Sequence, residues 1–351
     1  MYGAAPRNTL DLYLPDSSPC DASSAASAPS EATYLDPNGS TVGADAPPVV
    51  IFVTGGMWII GYKAWGALLA SRLRAAGCVV ACLDYRNFPQ GTVSAMVDDV
   101  TAGVAYVLRH AKGWGGDPER LLVVGQSAGA HISAIALLQQ AERCAMLPSR
   151  VFTPWTHITD TLCFRERTAG ATDCVWPMSR IAAFVGVSGV YTPDDPQLLL
   201  HFERQGLSRA VVHAIMEAGL TGARAHEALP RASPASLALG PLAAAVPSLP
   251  PVMLCHGTAD KSAPATQSAA FGAALRASGA THVMERYYQG KSHTDPFLED
   301  PIAGGSDALL EDILTMAFHG QAGAGSPHAW PVFPRMLPDA IIEMARRCIP
   351  F

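Results

Sequence analysis

Charge is scarce in this chain. Asp, Glu, Lys and Arg make up 15% of its 351 residues, and no basic run or basic helix stands out. Without a basic footprint, no nucleic-acid partner is expected. CxxC pairs are absent, and no set of Cys and His falls at zinc-ligand spacing, so no metal site is expected. No GxGxxG opens a helix and no Gly-rich loop carries the Lys of a phosphate-binding loop, so no nucleotide is implied. Long apolar runs are missing too. Mean hydropathy is +0.18, yet the most apolar stretch, Val49 to Trp65, is broken by Gly55, Gly56, Gly61 and Lys63. A run of about 18 apolar residues, the usual length of a spanning helix, does not occur. The opening MYGAAPRNTL lacks the basic and apolar regions of a signal peptide. The expectation is a chain without a spanning segment, working in the cytoplasm or peripherally on a membrane.

What is present is core. The residues AVILMFWYC make up 49%, enough to exclude wholesale disorder. Length and composition suit one α/β domain over 1–351 carrying an insertion. Net charge is -6. Of the eight cysteines, Cys78, Cys82 and Cys255 lie in apolar, strand-like runs and read as small buried hydrophobes. Cys163 and Cys174 would pair only in an exported protein.

Continuous apolar runs of strand length alternate with helical spacing. Asn8 to Leu14 alternates like a half-exposed strand. The Ser/Ala/Pro-rich segment 16–46 reads as a flexible surface loop. Buried strands are expected at Val49–Val53, Cys78–Leu83, Leu121–Val124, Ile181–Val187, Val252–Cys255 and Val283–Tyr288. Helices are expected at Tyr62–Ala76, Val93–Lys112, Ala128–Cys144, Pro264–Ser278 and Asp307–Phe318, with pieces over Pro196–Leu229. This order predicts a mostly parallel sheet with helices on both faces and chemistry at the carboxyl ends of the strands. Segments of about 148–180 and 196–250 read as a helical cap insertion, with Trp155, Trp176 and Leu198–Met216 over the site.

After the strand Leu121–Val124 comes Gly125-Gln126-Ser127-Ala128-Gly129, then a helix. This is the G-x-S-x-G elbow, in which a turn too tight for side chains lifts a serine to a helix N-terminus. Ser127 is the expected nucleophile. In α/β-hydrolases the acid and then the base follow the serine along the chain. His256-Gly257-Thr258-Ala259-Asp260 follows one strand, and Gln289-Gly290-Lys291-Ser292-His293 follows the next. Asp260 and His293 are therefore the expected acid and base, with Asp295 as a weaker rival for the acid. An imidazole is needed because an alcohol is a poor nucleophile until its proton is taken, and the carboxylate fixes the imidazole's tautomer. His256 is expected to bond its following turn, and His131, on the elbow helix, to be structural.

Thr54-Gly55-Gly56-Met57-Trp58 follows the strand Val49–Val53, where esterases of this fold carry an HGGG-type loop. Thr54 stands for the His and Met57 for the last Gly. The oxyanion donors belong to the backbone and survive these replacements. Gly55, Gly56, Met57 and Ala128 are the expected oxyanion hole. Trp58 and Ile59, Arg86 and Asn87 after the next strand, and Gln126 beside the serine are candidate substrate contacts.

The segments 53–66, 84–91, 114–118, 125–131, 256–260 and 290–296, among them GlyGlnSerAlaGlyAlaHis and GlyLysSerHisThrAspPro, resemble isoprenylcysteine methylesterases of the plant type. These are α/β-hydrolases related to the hormone-sensitive-lipase-like carboxylesterases. The resemblance covers Tyr2 to about Pro15 and most of the chain from Pro48. It places that family's serine, acid and histidine on Ser127, Asp260 and His293. It implies hydrolysis of the methyl ester on a carboxyl-terminal prenylated cysteine, with no cofactor, and location at the endoplasmic reticulum or Golgi. Plant members carry apolar N-terminal segments not found here. The terminal Cys348-Ile349-Pro350-Phe351 matches a CaaX box in form, but Pro at its third position suits prenylation poorly. A general short-chain carboxylesterase and a hydrolase-fold receptor for a small ligand stay open as alternatives.

Overall fold

The computed structural model describes residues 1–15, 46–146, 175–319 and 330–348, apart from the side chains of Asp339 and of residues 345–348. The expected loop 16–46 (except Ala46), Trp155 and the cysteines 163 and 174 lie outside the described residues.

Among the described residues, seven strands form one sheet: β1 (Leu10–Tyr13), β2 (Val49–Val53), β3 (Val79–Leu83), β4 (Leu121–Gln126), β5 (Ile181–Val187), β6 (Val252–Gly257) and β7 (Val283–Tyr288). Their order is β1-β3-β2-β4-β5-β6-β7. Only β1, on the edge, runs antiparallel to its neighbour. The mostly parallel sheet of the α/β-hydrolase fold is thus present. Strands β2 and β3 are apolar and buried at every position because both faces are covered. In β2, Val49, Ile51 and Val53 point into one hydrophobic cluster, and Val50 and Phe52 into the other. Alternation across the pleat sends successive side chains to opposite faces. Each fully buried Val or Leu stabilises the fold by roughly 1.5–3 kcal/mol.

The helices are α1 (Ala67–Ala75), α2 (Val93–His110), α3 (Ala128–Met146), α4 (Pro196–Arg204), α5 (Arg209–Ile215), α6 (Ala225–Arg231), α7 (Pro234–Leu239), α8 (Thr266–Ala277), α9 (Asp300–Ala303), α10 (Ala308–Ala317) and α11 (Asp339–Cys348). The first cluster joins the sheet to α2 and α3, the second to α1 and α10. Two expected helices begin later than their periodicity suggests. Lys63–Gly66 winds as a tighter 3-10 turn before α1. Pro264 lies ahead of α8, its carbonyl accepting from Gln267 N–H. Within the Ala/Pro/Ser-rich segment, Ser233 caps α7 by accepting from Ser236 N–H, and Pro234 occupies the first turn, where a missing N–H is no loss.

Trp176 departs from expectation. It is buried against α2 and α3, its indole N–H donating to Thr101 O at 3.2 Å and its carbonyl accepting from Gln140. It belongs to the core and not to a cap. Cys78, Cys82 and Cys255 are free and buried, and burial pushes the Cys78 and Cys255 thiols up to about 12. They are inert packing at neutral pH. Among the described residues, no helix is long and apolar enough to cross a membrane.

Candidate active site

Parallel strands β2, β4, β6 and β7 end on the same edge, so the loops that follow them converge. The chain leaves β4 through Ser127 at φ 52°, the left-handed region. That conformation costs a side-chain-bearing residue on the order of 1 kcal/mol and is held by its surroundings. Ser127 N–H donates to Val187 O at 2.8 Å, and Ser127 O accepts from His131 N–H in the first turn of α3. The flanking glycines are required by close approach. A Cβ on Gly129 would sit 2.1 Å from Val53 O, and one on Gly125 2.6 Å from Ala130 Cα.

Asp260 is buried in the turn after β6. Its Oδ1 accepts from the N–H groups of Ser262 (2.8 Å) and Ala263 (2.9 Å). Its Oδ2 faces two imidazoles, His293 Nδ1 at 2.7 Å and His256 Nε2 at 3.1 Å. Burial raises the Asp260 carboxyl, but His293, His256 and their hydrogen bonds outweigh it and hold the group well below the usual carboxylate range. The partners assign both tautomers. His293 carries its proton on Nδ1 toward the carboxylate, leaving the Nε2 lone pair free. His256 Nε2 has only acceptors around it, Asp260 Oδ2 and Ala263 O (3.0 Å), so it carries the proton, and its Nδ1 accepts from Ser268 O–H at 2.8 Å. His256 thus bonds its following turn as expected and also braces the Asp260 carboxylate, a contact that sequence reasoning missed. Asp295 is not beside the imidazole proton. Its Oδ2 accepts from Ser292 N–H at 2.6 Å and shapes the His293 loop.

Ser127 and His293 line one cavity of about 450 Å³. Among the described residues no hydrogen bond links Ser127 Oγ to the imidazole. His293 Nε2 instead has Gln126 Nε2 at 3.4 Å.

The loop after β2 turns back on itself through positive φ at Gly56 (116°), Met57 (51°) and Trp58 (62°). Gly55 N–H is committed to Gln126 Oε1 at 3.1 Å. The N–H groups of Gly56, Met57 and Ala128 have no acceptor among the described residues, so they are the donors available to an oxyanion. Gly55 therefore braces this loop through Gln126 and offers no free N–H. A Cβ there would sit 2.2 Å from Gln126 Oε1 and 2.8 Å from Ser127 Cβ. Gly55→Ala is expected to lower kcat by about 10²–10³, the usual cost of a spoiled oxyanion hole. Steady-state kinetics on a soluble ester, with circular dichroism as the folding check, measures this.

The other candidate contacts divide. Gln126 lines the cavity. Trp58, Ile59, Arg86 and Asn87 are not among its lining residues. Trp58 is fully buried, its indole N–H donating to His131 Nδ1 at 3.1 Å. Ile59 packs against the first cluster. Arg86 is held by Asp99 through two hydrogen bonds of 2.8 Å, and Asn87 donates to Gly61 O at 2.9 Å. These four brace the loops after β2 and β3. The wall instead comes from Ile60, Trp65, Leu68, Phe202, Phe297 and Leu298. No local motif announces it, because it is assembled from three distant segments.

His131 ties this architecture together. Its Nδ1 accepts a hydrogen bond from the Trp58 indole N–H, and Nε2 donates to Ala232 O at 2.6 Å, between α6 and α7. Burial pushes its pKa down from 6.5 to about 4. The neutral ring therefore contributes stability that is whole above about pH 6.5 and is lost as the pH falls toward 4. The expected loss is about 3 kcal/mol. Melting temperature followed from pH 7 to 4 should fall, and His131→Gln should flatten part of that slope.

Comparison with known proteins agrees with this fold. The BD-FAE family model matches residues 35–275. A probable isoprenylcysteine alpha-carbonyl methylesterase of Oryza sativa subsp. japonica is 40% identical over 353 residues, covering 100% of this chain and 69% of the relative. Isoprenylcysteine alpha-carbonyl methylesterase of Arabidopsis thaliana is 37% identical over 354 residues, covering 100% and 69%. Among solved structures, a truncated carbohydrate esterase from gut microbiota superposes with a TM-score of 0.58 at 19% identity, covering 90% of this chain and 91% of that one. That last likeness is one of fold. The chain belongs to the isoprenylcysteine methylesterase family of α/β-hydrolases and is a carboxylic ester hydrolase.

Proposed function

We propose that this esterase removes the methyl group from a carboxyl-terminal prenylcysteine methyl ester, with Ser127 as nucleophile, His293 as base and Asp260 as the acid that orients it. The cavity carries this reading: about 450 Å³ of largely apolar space opens from the serine, in the size range of small-molecule sites. Ile60, Trp65, Leu68, Phe202, Phe297 and Leu298 offer an isoprenoid chain aliphatic and aromatic walls. The printed names of the plant relatives point to the same substrate.

In this mechanism Ser127 Oγ attacks the ester carbonyl carbon while its proton passes to His293 Nε2. The new imidazolium is stabilised by Asp260. The tetrahedral oxyanion takes the N–H groups of Gly56, Met57 and Ala128. Collapse expels methanol, which leaves with the proton from His293. Water, deprotonated by the same nitrogen, then attacks the acyl-enzyme. Ser127 leaves with that proton, and the prenylcysteine carboxylic acid ionises on release. No step uses a cofactor. Prenylated proteins on internal membranes would be the partners, approached from the membrane surface past Ile60 and Trp65, which are 53% and 44% exposed at the cavity.

The test is kcat/KM for S-farnesylcysteine methyl ester against p-nitrophenyl acetate and butyrate, with Ser127→Ala as the blank. A clear preference for the prenyl ester is expected. Preference for the simple esters with the prenyl ester untouched would return the chain to general short-chain carboxylesterases. Tight binding without turnover would favour a receptor.

A further inference from the structure

We propose that His256, held in turn by Ser268, is a positioning residue for the acid: it fixes the Asp260 carboxylate from behind and sets how strongly that carboxylate supports a proton on His293. This rests on the reading of Ser127, His293 and Asp260 as nucleophile, base and acid.

His256 is next to last in β6 and stands in register with Tyr287 of β7. Asp260 lies four positions on, in the turn that follows. That turn is stitched to the loop carrying His293. Thr258 N–H donates to Tyr288 O and Ala259 N–H to Lys291 O, each at 3.0 Å. The backbone thus sets how far acid and base stand apart, but not how the carboxylate is turned between them.

A carboxylate offers about four lone-pair sites, and Asp260 has a donor for each. Ser262 N–H (2.8 Å) and Ala263 N–H (2.9 Å) meet Oδ1, and His293 Nδ1 (2.7 Å) and His256 Nε2 (3.1 Å) meet Oδ2. The bonds to Oδ1 leave the plane of the group free to turn. His293 is the ring to be oriented, so it cannot also fix the oxygen that orients it. Among the described residues, His256 is the remaining donor to Oδ2. Its ring is fully buried, and its Nδ1 accepts from the equally buried Ser268 O–H of α8 at 2.8 Å. That bond keeps the His256 proton on Nε2, as Asp260 keeps that of His293 on Nδ1. The Ser268–His256 pair stands behind the acid as the acid stands behind the base.

The second effect is electrostatic. The negative charge on Oδ2 is shared between two N–H groups. Without that of His256 it falls wholly on His293, which favours the imidazolium. His256 therefore tempers the base as well as aiming it. The other charged groups of these loops are engaged elsewhere or face solvent. Asp295 Oδ2 accepts from Ser292 N–H, Lys291 pairs with Asp300 of α9, and Lys261 is exposed. Among the described residues that line the cavity, none besides His293 carries an ionisable side chain.

The experiment is kcat/KM against pH for p-nitrophenyl butyrate, an ester that does not ionise, so that the acid limb reports the base of the free enzyme. Circular dichroism checks folding. In His256→Leu the limb should move up by about one pH unit. In His256→Gln, whose amide nitrogen reaches to about the place of Nε2, the limb should stay at the wild-type position whatever the loss in kcat. A merely structural role lowers activity in both and moves the limb in neither. An unmoved limb in His256→Leu, or one raised as far in His256→Gln, overturns the proposal. Ser268→Ala carries the test if His256→Leu does not fold. Losing the O–H donor weakens the His256 N–H as a donor in turn, so the limb should rise by a smaller step, and an unmoved limb overturns the proposal equally. Asp260→Asn separates this inference from the reading beneath it. A loss of about 10⁴-fold there with an unmoved limb in His256→Leu removes the role of His256 and keeps the triad. A loss under about tenfold removes the triad and this inference with it.

Discussion

Asp260→Asn is expected to lower kcat by about 10⁴-fold while the protein stays folded. The hydrogen bonds dictate how. Oδ1 of Asp260 is fixed by two backbone donors, Ser262 N–H and Ala263 N–H. An Asn side chain therefore keeps its oxygen there and places its NH₂ group where Oδ2 stood. That NH₂ faces His293 Nδ1 and His256 Nε2, both of which now carry protons toward the carboxylate. To avoid a donor–donor clash, His293 must shift its proton to Nε2, and an imidazole protonated there cannot accept the serine proton. The carboxyl is held well below its usual range, so the wild-type acid stays ionised through the working pH range. Its contribution to stability is whole above about pH 4 and is lost only as the pH falls below that. Kinetics on a simple ester between pH 6 and 9 checks the prediction. A loss under tenfold would move suspicion to Asp295, which in the structure holds Ser292 N–H.

Ser127→Ala should lower kcat by on the order of 10⁶, leaving only catalysis by binding and the oxyanion donors. The fold should survive, because alanine fits the same left-handed turn at the same conformational cost. Ser127→Gly should be equally inactive but more stable, since glycine adopts φ 52° without the Cβ penalty. An increase in stability of roughly 1 kcal/mol over Ser127→Ala is expected, read from denaturant midpoints. Labelling by a fluorophosphonate, mapped by mass spectrometry, should fall on Ser127 in the wild type and disappear in both variants. Undiminished turnover in Ser127→Ala, or label on another serine, would overturn the assignment.

Particular residues show how far local reasoning reaches. β2, β4 and β6 were readable because a strand buried on both faces has an unbroken apolar run, which is a local property. G-x-S-x-G was readable because the turn itself demands glycine at both ends. Trp58, Arg86 and Asn87 were placed at the substrate because they follow catalytic-looking loops, yet the positive φ of Met57 and Trp58 turns the indole inward onto His131. Arg86 is likewise taken by Asp99, thirteen positions on. Neighbourhood in sequence sets where a backbone is, but not which way its side chains point. The π-helical turn Asp295–Glu299, which supplies Phe297 and Leu298 to the cavity, carried no clear periodic signal in so few residues.

The sequence alone determined the sheet and the edge at which the loops holding Ser127, Asp260 and His293 gather, since strand burial and turn chemistry are set by residues adjacent in the chain. Tertiary structure decided the remainder: that Gly55 is tied to Gln126, that His256 and His293 share the Asp260 carboxylate, and that Phe202 and Phe297 wall the cavity lined by Ser127. Those relations join positions tens to hundreds of residues apart, and packing, not spacing, brings them within hydrogen-bonding reach.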